Sequence, residues 1–223
     1  MKKAVVLLSG GLDSATTLYE ALRQGYRCHC LIFDYGQRHR RELKSAQAVA
    51  RAAKCSFQVI TIALPWKGSA LLHKQAALPK LTRANKGRRE EVIPSTYVPA
   101  RNIIFLSFAL SCAEALQAQA IFIGAHSHDY SGYPDCRPAF FRAFQNVITY
   151  GTKAGVERKG IKIITPLIHK DKADIIRLAQ RLRAPLELTW SCYQGKDAPC
   201  GACDSCYFRK KGFQEAGIPD PSL

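Results

Sequence analysis

Three groups of residues have the types and spacing to do chemistry. The first is Ser9-Gly10-Gly11-Leu12-Asp13-Ser14, set between an apolar run and a stretch of helical periodicity. A helix starting there offers unpaired backbone N–H groups and a partial positive charge, which together bind anions. Gly10 and Gly11 allow the backbone to approach a phosphate without a Cβ in the way, and Ser9 and Ser14 add hydroxyl donors. Asp13 repels phosphate on its own, so it makes sense chiefly with a cation between them, magnesium being suited to its hard oxygens. No Gly-Lys-Ser/Thr follows, so this is not a Walker A loop, and the dinucleotide fingerprint Gly-x-Gly-x-x-Gly is absent. A plain strand–helix turn capped by Ser or Asp is the competing account.

The second group is Cys192-x7-Cys200-x2-Cys203-x2-Cys206. Four soft thiolates at these spacings suit one tetrahedral zinc ion, and a four-cysteine site leaves no open position for water, so its role is structural. An iron–sulfur cluster would imply a redox role that nothing in the tail calls for. The odd total of nine cysteines argues against a disulfide framework. The third group is polar. Arg101 and Asn102 open a helix, and an Arg there suits a phosphate or an acyl-adenylate; a helix-start Asn beside a surface Arg is the bland alternative. Asp129 and Asp135 could read the guanidine-like edge of a purine analogue while Tyr130 and Tyr133 stack on its ring. The same stretch equally makes a turn from its Ser-Gly and Pro-Asp pairs. Arg38 with His39 reads either as an anion site or as a solvated charge run.

These residues need elements to hold them. Ala4–Leu8, Cys28–Phe33, Phe57–Ile62, Ala120–Gly124 and Ile161–Thr165 read as short buried strands. Ser14–Gln24, Leu43–Ala53, Asn102–Gln117, Ala139–Ile148 and Asp171–Arg183 read as helices between them, with Gly25 placed to end the first. Strand–helix alternation predicts a doubly wound, mostly parallel α/β sheet. Regularity fails over Ala63–Ala100, which holds four prolines and the basic cluster Lys80–Arg89, and such loops are usually lids or binding segments. We expect residues 1–184 to form the α/β domain and residues 185–223 a small cysteine-bearing appendage.

The 223 residues are enough to bury a substantial core. With 47% hydrophobic and 22% charged residues, the composition excludes disorder, collagen and a coiled-coil rod. The longest apolar run near the start, Ala4–Leu8, is far too short for a membrane span or a signal peptide, so a cytoplasmic location is expected. A formal net charge of +16 attracts anions. It favours small anionic substrates over a polynucleotide, while leaving a tRNA partner as the rival.

Ser9–Ser14 resembles the pyrophosphate loop of the N-type ATP pyrophosphatases, the PP-loop superfamily. Together with Phe33–His39, Ser95–Asn102, Asp129–Pro138 and Thr189–Tyr193, it makes the chain resemble the 7-cyano-7-deazaguanine synthase family of the queuosine pathway, from Val5 to Pro221. The resemblance implies an adenine-nucleotide α-hydrolase-like, Rossmann-like fold and an ATP-dependent carbon–nitrogen ligase. Its substrates would be 7-carboxy-7-deazaguanine, ammonia and ATP with magnesium. It implies ATP contacts from Leu8, Ser9, Gly10, Gly11, Leu12, Asp13, Ser14, Phe33, Tyr35 and Arg101. Substrate contacts would come from Gln37, Arg38, Asp129, Tyr130, Tyr133, Asp135 and Arg137, with Asp13, Arg101 and Asn102 at the reacting group. One zinc per chain, a homodimer and no tRNA are expected. A thiolating superfamily member would instead need a reactive cysteine, Cys112 or Cys136, and neither has an activating partner at motif-like spacing. The chain departs from the family pattern at Ala100, where glycine is usual, and at Ala125-His126-Ser127-His128, where His126 replaces an asparagine.

Overall fold

A computed structural model of the chain describes residues 1–38, 40–66, 68–72, 93–126, 133–194 and 197–222. Five parallel strands form one sheet in the order β3-β2-β1-β4-β5. They are β1 (Lys2–Leu7), β2 (Tyr26–Asp34), β3 (Ser56–Thr61), β4 (Ala120–Phe122) and β5 (Lys162–Ile164). The helices are α1 (Leu12–Arg23), α2 (Arg41–Ala52), α3 (Arg101–Ala115), α4 (Pro138–Gly151), α5 (Lys153–Val156), α6 (Lys172–Arg181) and α7 (Asp204–Ala216).

The continuous apolar runs are explained by burial on both faces of the sheet. Val5 and Leu7 of β1, with Leu31 and Phe33 of β2, point to the side covered by α3 and α4, where Leu106, Ala109, Phe141 and Ile148 meet them. Ala4, Val6, Cys30 and Ile32 point to the other side, against Ala15 and Leu18 of α1 and Val49 of α2. This period of two across a covered sheet is what a doubly wound fold requires. Fully buried side chains such as Leu18 and Leu106 each stabilise the fold by about 1.5–3 kcal/mol. Gly25, at φ 79°, ends α1 as expected, its N–H donating to Leu22 O at 2.9 Å.

The tail is more ordered than its sequence implies. Helix α7 packs on α6 so closely that a Cβ at Gly212 would lie 2.4 Å from Lys172 Cγ. Phe213 joins Leu12, Ile175 and Ile176 in a third apolar cluster. Cysteines and charges surround that one deeply buried phenylalanine, so the run carries little helical periodicity. Among the described residues, no helix is long and apolar enough to cross a membrane.

Candidate functional site

In an open parallel sheet, ligands bind beyond the strand carboxyl ends where the strand order reverses. Here that point lies between β1 and β4. The loop Ser9–Ser14 leaves β1 there, and Gly124, Ala125 and His126 leave β4 beside it. Gly10 holds φ 87°, and a Cβ on it would come within 2.3 Å of Glu42 O, so glycine is required where the loop passes under α2. Gly124 also presses on α1: its Cβ would meet Asp13 O at 2.9 Å. Ser9 and Ser14 hold the loop through an Oγ–Oγ contact of 3.1 Å, and Ser14 Oγ donates to Gly11 O at 3.0 Å. Among the described residues, no side chain caps α1. Its first amides therefore remain available to an anion, which the capped-turn account would have forbidden.

Asp13 has found partners. Lys172 Nζ lies 2.9 and 3.0 Å from its two carboxylate oxygens, and His126 Nε2 is 3.2 Å from Oδ2. Burial opposes ionisation, but Lys172 and then His126 outweigh it and hold the carboxyl well below the usual range. Lys172 owes its place to Asp171, which caps α6 by accepting the Asp174 N–H at 2.7 Å. His126 Nδ1 is buried and has no hydrogen-bond partner among the described residues.

The loop opens on a cavity of about 310 Å³, lined among others by Leu8, Ser9, Gly11, Leu12, Asp13, Ser14, Phe33, Tyr35 and Gln37. Arg101, Asn102, Tyr133 and Cys136 form its far wall. Arg101 Nη1 donates to Tyr35 Oη at 3.3 Å. Tyr133 Oη meets Thr96 Oγ1 at 2.6 Å, and its ring stacks on Tyr97 with centroids 5.9 Å apart. Asn102 donates from Nδ2 to Asp135 O at 3.0 Å and to Cys136 Sγ at 3.2 Å. Burial, and after it Asp135, pushes the Cys136 thiol up to about 12, so it is protonated at neutral pH and a weak nucleophile.

Other residues singled out from the sequence lie elsewhere. Asp135 is 5% exposed and its Oδ2 accepts the Asn102 N–H at 3.0 Å, so its carboxylate anchors the start of α3 and the turn reading describes it better. Arg38 donates to Ala70 O at 3.4 Å, Arg137 is exposed, and neither of them nor Gly10 lines the cavity. Gln37 does line it, while its amide closes the turn after β2 by accepting the Tyr35 N–H and donating to Phe33 O. Asp129 and Tyr130 fall outside the described residues, as do His39, His128 and the Lys80–Arg89 cluster. Sequence reasoning passed over Glu42 and Lys172, which also line the cavity, as do Tyr193 and Arg209. Glu42 and Lys172 stand in first helical turns, where a lone charge carries no motif.

The four cysteines converge as their spacing predicts. Their Sγ atoms all lie within 4.8 Å of one another. Cys200 and Cys206 are 3.9 Å apart, against about 3.8 Å for a zinc–thiolate tetrahedron. The Gln194 and Cys200 amides point at Cys192 Sγ from 3.4 and 3.3 Å, which favours a thiolate there. The donor set fits a metal. Trp190 joins this cluster to the Ser9–Ser14 loop: its N–H donates to Gly10 O at 2.9 Å, its indole N–H to Cys192 O at 3.0 Å, and Arg41 lies over its ring. Arg209 of α7 braces the same segment, pairing with Asp220 at 2.8 Å and donating to Thr189 Oγ1 at 2.9 Å.

The pattern of the queuosine biosynthesis protein QueC family matches residues 3–217. The chain is 52% identical over 221 residues to a 7-cyano-7-deazaguanine synthase of Nostoc punctiforme, covering 98% of each chain. It is 54% identical over 220 residues to one of Acetivibrio thermocellus, covering 99% of this chain and 96% of that one. Among solved structures, NMN synthetase from Francisella tularensis aligns with a TM-score of 0.51 at 13% identity, over 98% of this chain and 78% of that one. At that identity the likeness is one of fold.

Proposed function

The chain belongs to the queuosine biosynthesis protein QueC family, and we propose that it is an ATP-dependent carbon–nitrogen ligase making 7-cyano-7-deazaguanine from 7-carboxy-7-deazaguanine and ammonia. A carboxylate resists nucleophiles because its charge repels them and oxide cannot leave. Transfer of AMP from ATP to the carboxylate, releasing pyrophosphate, supplies a leaving group. Ammonia then displaces AMP and gives the amide. A second adenylation, on the amide oxygen, lets AMP leave again as the C–N bond becomes a nitrile and the nitrogen loses its protons. The carrying observation is the uncapped start of α1 opening on the same cavity as Arg101 and Tyr133.

In this reading the amides of α1, Ser9, Ser14 and Lys172 hold the phosphates as charge builds on pyrophosphate. Arg101 faces the phosphate of the adenylate, Leu8, Phe33 and Tyr35 take the adenosine, and Tyr133 stacks on the deazaguanine. Magnesium entering with ATP would neutralise the phosphates, with Asp13 as its protein oxygen. The four cysteines would hold one structural zinc, on residues 185–223 packed against an ATP-binding unit of residues 1–184. The enzyme would work in the cytoplasm, as a homodimer and without tRNA. Against a thiolating role, burial pushes up both cysteines such chemistry would need, Cys112 and Cys136. Incubation with the acid, ATP, magnesium and ammonium, with products read by mass spectrometry, tests the proposal. A nitrile that requires every component supports it. An unconsumed acid, with adenylation of tRNA instead, refutes it.

A further inference from the structure

Three cysteines outside the cavity meet toward the amino ends of the strands. Cys28 and Cys30 are buried on β2, and Cys55 is half-buried one residue before β3. All three belong to the apolar cluster between the sheet and helices α1 and α2. The strand register pairs His29 with Ser56 and Cys30 with Phe57, so one step back it sets Cys28 beside Cys55. Cys55 is fixed there, because its N–H donates to Ala50 O at 3.0 Å after the left-handed turn of Lys54 at φ 52°. Neighbouring strands lie about 4.8 Å apart, inside the Cα separation that a disulfide spans. Cys30 stands two residues further along β2, roughly 8 Å from Cys55 by the same spacing, which is too far to bridge. The Cys55 thiol contacts the thiols of both.

From this placement we infer that Cys55 is a site of oxidation by a hydroperoxide and that Cys28 resolves it as a disulfide. Cys55 is the least buried of the three, so its proton leaves at the smallest cost in solvation. Its thiolate accepts S–H from Cys28 and then Cys30, which holds the Cys55 thiol below the usual range although burial opposes it. The contact with Cys55, and burial after it, keeps Cys28 and Cys30 protonated. Burial also raises Cys112 and Cys136, so they remain thiols at neutral pH. Among the described residues, the one group of three or more ligands gathered closely enough for a metal is the C-terminal four, so this trio is read as redox chemistry. The step balances. The Cys55 thiolate attacks one peroxide oxygen, the O–O bond breaks, and the departing hydroxide takes a proton to become water. The Cys28 sulfur then attacks the sulfur of the Cys55 sulfenic acid, whose S–O bond breaks as the hydroxyl leaves as water with the Cys28 proton. Two thiols lose two electrons and two protons, and the peroxide is reduced to two waters. A dithiol reductant reverses the bond by exchange.

Peptide mapping tests this. Trypsin cuts after Arg27 and Lys54, which puts Cys28 and Cys30 in peptide 28–38 and Cys55 in peptide 55–67. The full-length protein is treated with a small excess of hydrogen peroxide, its remaining thiols are alkylated in denaturant, and the unreduced digest is read by mass spectrometry. The expected product joins the two peptides, is lighter than their sum by two hydrogens, fragments as a bond at Cys28, and is lost on adding dithiothreitol. Cys28→Ala should abolish the cross-link and leave Cys55 as a sulfenic acid that dimedone traps, while Cys30→Ala should keep the cross-link. The unsubstituted protein alone decides the pairing, whatever a variant does to folding. A bond through Cys30, absence of the cross-link, or oxidation of Cys112 or Cys136 ahead of Cys55 would each overturn the assignment.

Discussion

Replacing Lys172 by Met removes the ammonium group that neutralises Asp13 while keeping most of the side-chain volume. The two side chains are 14% and 26% exposed, and Nζ lies 2.9 Å from Oδ1. Breaking a buried ion pair from one side costs about 3–5 kcal/mol, because the other charge is left behind. Asp13 keeps His126 and some contact with solvent, so we expect about 2 kcal/mol at neutral pH after discounting for both. For a chain of this size that lowers Tm by about 4–8 °C. Asp13→Asn should cost a similar amount, but the double variant should regain most of the loss, since removing both charges leaves neither stranded. The pH dependence is fixed by sign. Asp13 titrates lower in the folded state than unfolded, so its contribution is fully present above the unfolded value near about 3.9 and is lost as pH falls through the folded value. The gap between wild type and K172M should thus narrow below about pH 4. Thermal melts of all four proteins on both sides of that pH provide the assay. A K172M variant that melts with wild type, or a double variant whose loss is the sum of the two, would refute the reasoning.

Ala100 sits at φ 54°, a left-handed conformation that disfavours any side chain, so Ala100→Gly should raise stability by about 1 kcal/mol, read as a higher denaturation midpoint. Asp135→Ala strands the buried Asn102 N–H and should cost about 1–2 kcal/mol, while Asp135→Asn, which keeps an acceptor oxygen, should cost much less. Unchanged stability with a raised KM for the acid would show that Asp135 reads substrate instead. Chelation should release one zinc per chain, and in a Trp66→Phe background the Trp190 fluorescence should shift red, because its indole is bonded to Cys192 O. Iron in the purified protein, or an unaltered spectrum after the metal is removed, would contradict that reading.

The strands and most helices were legible because burial on two faces writes itself as short, continuous apolar runs, as in Ala4–Leu8. The strand–helix turn at Ser9–Ser14 and the cysteine cluster were legible because each is written in local spacing. What escaped was chemistry assembled across the chain. Lys172 lies 159 positions from Asp13, and only the packing of α6 against α1 brings them together. Asp135 reads from the sequence as a ligand, a carboxylate in a polar loop, whereas in the fold its Oδ2 accepts a backbone N–H at the start of α3. Helix α7 was hidden by the cysteines that begin it.

The central claim is that one cavity activates the same carbon twice. The direct test is the ratio of AMP to nitrile formed from the acid, alongside the same ratio when the synthetic amide replaces it. The account predicts two AMP per nitrile from the acid and one from the amide, each accompanied by pyrophosphate. One AMP from the acid, release of ADP, or an amide that is not consumed would contradict it.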